Sequence, residues 1–184
     1  MVLDLETVGL DPTKHGIHTI AFTDVHGDLK RIRLNPFSYG KAIYSPKAVE
    51  MSGMTVGQLK MLPSAKDAVR VFLREAGKFP GEKVTLIGFN ISSFDKPMLQ
   101  ELIDSVYPGT YYKYFTHKPV DVFELTKWFQ HLGIIDTGSS QSLEAVAKYF
   151  GYAHKPHDAI SDVDVTAKLY KKYKEMLDAV HRAK

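Results

Sequence analysis

The stretch Val2-Leu3-Asp4-Leu5-Glu6-Thr7 sets two carboxylates at alternate positions of an otherwise apolar run. Successive side chains of a strand point to opposite faces, so Asp4 and Glu6 share one face and Leu5 takes the other. Val2, Leu3 and Leu5 give the run the character of a central strand. Two adjacent carboxylates repel, and a divalent cation between them offsets that repulsion. The competing reading is an edge strand with two solvated acids, because structural charges are common.

Working outward, Ile17 to Asp24 and Lys30 to Leu34 read as two further strands, joined by the turn residues Val25-His26-Gly27-Asp28. Asn35 to Gly57 is loop-rich, punctuated by Pro36, Gly40, Pro46 and Gly53. Ala65, Ala68, Val69, Phe72 and Leu73 recur at helical spacing, which predicts a helix over Ser64 to Ala76 with Ser64 as its cap. Val84 to Gly88 reads as a buried strand. Helices are predicted over Lys96 to Val106, Asp121 to Leu132, Ser142 to Phe150 and Asp158 to about Val180. Pro97 is tolerated in its helix's first turn. Antiparallel strands first, then a strand among helices, argue an α/β fold: a mixed sheet with helices on its faces.

The chain has 184 residues, 44% apolar and 24% charged, with no repeat or low-complexity linker, so one domain over 1–184 is expected. A net charge of +3 permits a nucleic-acid partner without demanding one. The absence of cysteine excludes disulfides and thiolate metal sites and suits a reducing compartment. No apolar run approaches the roughly 20 residues that span a membrane, and charge appears at Asp4, so a cytoplasmic address without a membrane partner is expected.

Two more acids stand out. Asp95 follows the buried strand and an Asn90-containing turn, just before a helix. It reads either as a helix-start acid favoured by the macrodipole or as a site carboxylate at the carboxyl end of a strand. His157 and Asp162 lie five residues apart, a turn of about 140° on a helix, so they do not share a face within one. If Asp158 caps the helix, His157 stays on the entering loop and can swing over Asp162. Taken alone, His157 reads as an ordinary loop histidine.

Together, Asp4-Leu5-Glu6-Thr7-Val8-Gly9-Leu10, then Gly88-Phe89-Asn90 through Phe94-Asp95-Lys96-Pro97-Met98-Leu99, then His157-Asp158-Ala159-Ile160-Ser161-Asp162 resemble the motifs of the DEDDh-type 3′–5′ exonucleases. That family includes the proofreading subunit of bacterial replicative polymerases, and the resemblance runs from about residue 2 to residue 175. It implies a ribonuclease H-like fold, a five-stranded mixed sheet whose first three strands are antiparallel, flanked by helices. It implies that Asp4, Glu6, Asp95 and Asp162 hold two Mg²⁺ or Mn²⁺ ions, hard cations suited to oxygen ligands. Asp4 would bridge both ions, Glu6 and Asp162 would complete the nucleophile-side ion, and Asp95 would serve the other. Two ions roughly 3.5–4 Å apart can clamp the attacking and leaving oxygens. His157 would take the proton of the attacking water.

The same resemblance implies that Thr7, Gly9 and Leu10 hold the terminal nucleotide and that Asn90 and Phe94 shape its pocket. Met51 and Met54 would be adaptable apolar walls, with plain loop packing as the alternative. The chain departs from the family pattern at Val8, where a second threonine is common, at Phe89, where relatives often carry histidine, and by one extra residue between Asn90 and Phe94. The implied substrates are 3′ ends of single-stranded DNA, with RNA as the rival, and a DNA polymerase is a candidate partner. The rivals are a family ribonuclease, a non-catalytic nucleic-acid or polymerase-binding module, and an endonuclease on the same fold.

Other features carry plainer readings. Tyr111-Tyr112-Lys113-Tyr114-Phe115 could stack on a single strand, but a strand or loop packing on the sheet is favoured. Asp121 and Glu124 fit a capping box, which leaves Asp121 out of the site. Gln58-Leu59-Lys60-Met61-Leu62 reads as a short loop or helix, and Trp128 as core. His15, His18, His26, His131, His154 and His181 show no metal-ligand spacing. Lys171, Lys172, Arg182 and Lys184 form a basic helix end that complements the dipole.

Overall fold

The computed structural model describes residues 1–182; Ala183, Lys184 and the side chains of Val180 and His181 lie outside the described part. Three strands, β1 (Leu3–Thr7), β2 (Ile17–Thr23) and β3 (Leu29–Arg33), form an antiparallel sheet in that order. All seven residues of β2 are buried, as its central place requires. Two helices follow: α1 (Pro46–Met51), within the stretch expected to be loop-rich, and α2 (Val56–Lys60), which settles the loop-or-helix reading of Gln58 to Leu62 as a helix up to Lys60. Pro46 is no breaker here: it stands in the first turn, where its missing N–H costs nothing, and Ser45 caps the helix. In α2, Thr55 and Gln58 form a reciprocal capping box.

The predicted helix α3 (Ala65–Ala76) is capped by Ser64 and buries Ala65, Ala68, Val69, Phe72 and Leu73. Phe72 packs edge-on against Phe22 of β2 at 5.2 Å and stacks on Phe115 at 5.8 Å. Strand β4 (Ile87–Gly88), helix α4 (Asp95–Val106), helix α5 (Tyr111–Tyr114), strand β5 (Val120–Asp121), helix α6 (Val122–His131), helix α7 (Leu143–Tyr149) and helix α8 (Ala159–Arg182) complete the chain. Among the described residues no helix is long and apolar enough to cross a membrane.

The expected continuous five-stranded sheet is corrected to a three-stranded antiparallel sheet and a two-stranded parallel one, β4 with β5, tied by a single Val2–Ile87 bridge. Two local causes are visible. On one side, Val84 pairs with Phe115 and Ile87 with Val120, an offset that leaves His117, Lys118 and Pro119 outside the ladder. Pro119 has no N–H to give it. On the other side, the chain leaves β4 at Gly88, where a Cβ would sit 2.8 Å from Ile91 Cβ, and turns at Asn90 with φ 62°.

Tyr111 and Phe115 are buried, so the aromatic run is packing, built as a short helix rather than a strand. Trp128 is also corrected: it is 61% exposed. The buried positions of α6 are Val122, Thr126 and Phe129, and Trp128 falls off that face into an apolar groove with Leu132 and Leu177.

What positions the site is the start of α8. Ala159 and Val163 pack with Val2 of the first segment and Ala21 of β2. Ala21 is the cross-strand partner of Asp4, and two alanines allow close approach of helix to sheet. The first turns of α8 therefore rest beside the acidic face of β1.

Candidate active site

Three carboxylates meet. Asp4 and Glu6 on β1 and Asp162 in the first turn of α8 each offer an oxygen within 4.8 Å of the others. Asp158 caps α8 as the sequence reading held, accepting from Ile160 N–H at 3.1 Å, while its backbone carbonyl accepts from Asp162 N–H at 2.9 Å. Asp95, first residue of α4, is buried beside them. Its Oδ1 accepts the Leu5 N–H at 3.0 Å. That donor points off the edge of β1 where no strand follows the Val2–Ile87 bridge, so Asp95 satisfies the strand and borders the cluster at once.

The charges are crowded. Burial, followed by the repulsion of Asp95, Asp162 and Glu6, pushes the Asp4 carboxyl well above its ordinary range. Glu6 is pushed up to about 7 by burial and then by Asp162 and Asp158, against the pull of Arg31. Asp95 is pushed up to about 7, by burial first, against the Leu5 N–H. Asp162 is raised by burial, opposed by its hydrogen bond to His154 and the charges of His154 and His157. An all-oxygen set whose carboxyls are all raised is one a hard divalent cation fits, since the cation supplies the missing positive charge.

Asp4, Glu6, Asp95 and Asp162 wall one side of a cavity of about 300 Å³, with His157 at its edge. Leu10, Met51, Phe89 and Phe94 form an apolar side, with Asn90 beside them. Leu10 is 80% exposed at the rim. Thr7 lines the cavity, but its hydroxyl donates to Gly9 O at 2.7 Å. Gly9 is buried and faces away: a Cβ there would lie 2.2 Å from the His15 ring, so glycine is what lets the turn close on that histidine. Met54 does not line this cavity and stands in an adjoining cleft. Val8 is fully buried and serves packing, while Phe89 packs edge-on against Phe123 at 5.5 Å and also lines the cavity. His157 is exposed on the loop before α8 with φ 63°, a backbone conformation few side chains adopt.

At two residues the sequence showed only part of the role or none of it. His154 Nε2 lies 2.5 Å from Asp162 Oδ1, both side chains largely buried, and His154 Nδ1 is buried without a hydrogen-bond partner. Its only signal was the His154-x-x-His157 spacing. Asp121 caps α6 through Phe123 N–H at 3.1 Å, as read, whereas Glu124 pairs with Lys127 rather than closing a box. The same carboxylate also accepts Asn90 N–H and Ser92 N–H, each at 2.9 Å, and so fixes the loop leading to Asp95.

An exonuclease family model, RNase_T, matches residues 1–170. The chain belongs to that exonuclease family. No curated protein matches it. Among solved structures, E. coli exonuclease I in complex with a dT13 oligonucleotide is similar at TM-score 0.73 and 22% identity, over 97% of this chain and 42% of that one. A product-bound exonuclease I structure is similar at TM-score 0.75 and 21% identity, over 96% and 44%. An exonuclease I complex described as ExoI/SSB-Ct is similar at TM-score 0.72 and 23% identity, over 96% and 41%. The exonuclease-family chain thus shares the exonuclease I fold while spanning less than half the length of these solved chains.

Proposed function

We propose that this chain is a divalent-metal-dependent 3′–5′ exonuclease that hydrolyses single-stranded nucleic acid from its 3′ end to nucleoside 5′-monophosphates, acting as one domain. The observation that carries this is the convergence of Asp4, Glu6 and Asp162, from opposite ends of the chain, beside Asp95 and His157. The ribonuclease H-like description of the fold and the DNA preference rest on the likeness to exonuclease I, solved with dT13. RNA remains the rival substrate.

Asp4, Glu6 and Asp162, with Asp95 at their border, would hold Mg²⁺ or Mn²⁺. Such ions, when bound, supply positive charge to the phosphate oxygens and make a bound water more acidic. The protein's own groups do the rest. Leu10, Met51, Phe89 and Phe94 bind the terminal nucleoside by its apolar faces and thin the water around the phosphate. An imidazole nitrogen of His157 takes the proton of the attacking water. The water oxygen bonds to phosphorus as the bond to the neighbouring 3′ oxygen breaks; that oxygen takes a proton from solvent, and the shortened strand leaves with a new 3′ hydroxyl.

The test is a gel time course with 5′-labelled single-stranded DNA and RNA of one sequence in Mg²⁺, with Asp4→Ala as control. A ladder shortening from the 3′ end, lost with chelator and in Asp4→Ala, is expected, faster on DNA. No cleavage of either strand in Mg²⁺ or Mn²⁺ would remove the reading.

A further inference from the structure

Past Glu6 and His157 the carboxylate cavity adjoins a second cleft of about 140 Å³. Its floor follows from strand register. Glu6 pairs across to Thr19 and Thr19 to Arg33, a row over three strands, and Arg31 lies two residues back on the same face. Met51 walls both cavities. The two arginines differ in their partners. Arg31 donates to Asp158 at 2.9 Å, so its charge is partly matched. Among the described residues the Arg33 guanidinium makes no ion pair or hydrogen bond, and it lines the cleft exposed. His18 beside it is buried, and burial with the charge of Arg33 pulls its pKa down to about 4, so it is neutral and adds no competing charge at pH 7.

Each linkage of the strand is negative, and beyond the cations the carboxylates would hold, the acidic cluster offers it no positive charge. A cation one step away along the strand supplies that charge, and a guanidinium offers a planar fork matched to two phosphate oxygens. The 300 Å³ cavity has room on its apolar side for the terminal nucleoside, and the chain of linkages must continue out of it. We propose that the Arg33 cleft is a phosphate subsite, in which Arg33, with Arg31 beside it, binds a phosphodiester linkage next to the one being cut. This rests on the exonuclease reading and adds a specific contact to it.

The decisive variant is Arg33→Ala, because Arg31 also steadies Asp158, the cap of the helix that carries Asp162. Binding of 5′-fluorescein-labelled oligo(dT) is measured by anisotropy across a NaCl series, with Asp4→Ala as the common background so that no strand is cut. Wild-type cleavage is measured in parallel. Arg33→Ala is expected to weaken binding about tenfold, the order of one charge-assisted hydrogen bond. The slope of log affinity against log salt should fall by about 0.7, the value for one phosphate contact on a single strand. Arg33→Lys should restore the slope and only part of the affinity. Arg70→Ala, on the exposed face of α3, should change neither. Oligomers with one uncharged methylphosphonate linkage, moved stepwise from the 3′ end, should bind Arg33→Ala and its parent equally at one position. A 3′-phosphorylated oligomer tests whether a terminal phosphate occupies the cleft instead; if it alone shows the Arg33 dependence, the backbone assignment is wrong. Unchanged affinity and slope in Arg33→Ala, with wild type still degrading the strand, would overturn the subsite and leave the exonuclease standing. A deficit that persists at every methylphosphonate position would also overturn it, as general attraction. If wild type neither binds nor cuts, both readings fall.

Discussion

His157 and His154 stand three residues apart before α8, and their surroundings give them different work. His157 is exposed at the cavity edge on a backbone turn of positive φ, free to meet a water above Asp162. Replacing it with alanine should slow single-turnover cleavage by roughly 10²–10⁴-fold, the usual worth of a positioned general base, with little change in nucleic-acid affinity. An unchanged rate would make it a bystander. His154 instead holds Oδ1 of Asp162, one of the three carboxylates that meet. His154→Ala should weaken Mn²⁺ binding about 10–100-fold by calorimetry without nucleic acid, the usual effect of losing a ligand's supporting partner. His154→Gln, whose amide N–H can replace Nε2, should recover most of it; equal Mn²⁺ affinity in all three proteins would leave His154 a packing residue. Asp4 and Glu6 were legible because alternation on a strand fixes their face. His154 was not, because its ring reaches Asp162 along an irregular loop that no periodic pattern encodes.

At the scale of elements, legibility tracked how local the cause was. Ser64, Asp121 and Asp158 announced three helix starts because a cap acts within its own first turn. Helix α1 was missed because Pro46 signals a loop and a first turn equally well. The shortness of β4 and β5 comes from Pro119 and from the sharp exit at Gly88, each acting across strands rather than along one. Asp121 shows the same limit: its cap was readable, its hold on residues 90 and 92 was not. Asp121→Ala removes an N-cap and leaves two or three backbone donors without acceptors. It should cost about 2–4 kcal/mol in urea unfolding, from about 1 for the cap and 1–3 for the stranded donors. Because the freed loop carries Asn90, Phe94 and Asp95, cleavage should fall further than stability explains when measured well below the melting temperature. Activity that remains intact in a destabilised protein would separate the loop from the site.

Across the whole molecule, β1, α4 and α8 bring acids from residues 4, 95 and 162 to one place, and the fold carries their burial, and after it their mutual repulsion, as a dependence on pH. Glu6 and Asp95 hold protons to about 7 in the folded state. The unfolded chain releases them near 4, at the ordinary values of about 4.3 and 3.9. A native state that binds more protons than the unfolded one is favoured by acid, so this contribution is complete below about pH 4 and is lost as pH rises through about 7. In chelator the melting temperature should therefore fall between pH 5 and pH 8. A divalent cation binds the ionised carboxylates alone, so added Mg²⁺ should stabilise little at pH 5 and progressively more towards pH 8, cancelling the fall. Asp4→Ala should make the chelator profile shallower, since it removes one raised carboxyl, and should lose most of the Mg²⁺ response with it. A melting profile that declines with pH in chelator yet ignores Mg²⁺ at pH 8 would mean that the acids repel one another without forming a cation site, and the two-metal reading would fail on stability alone.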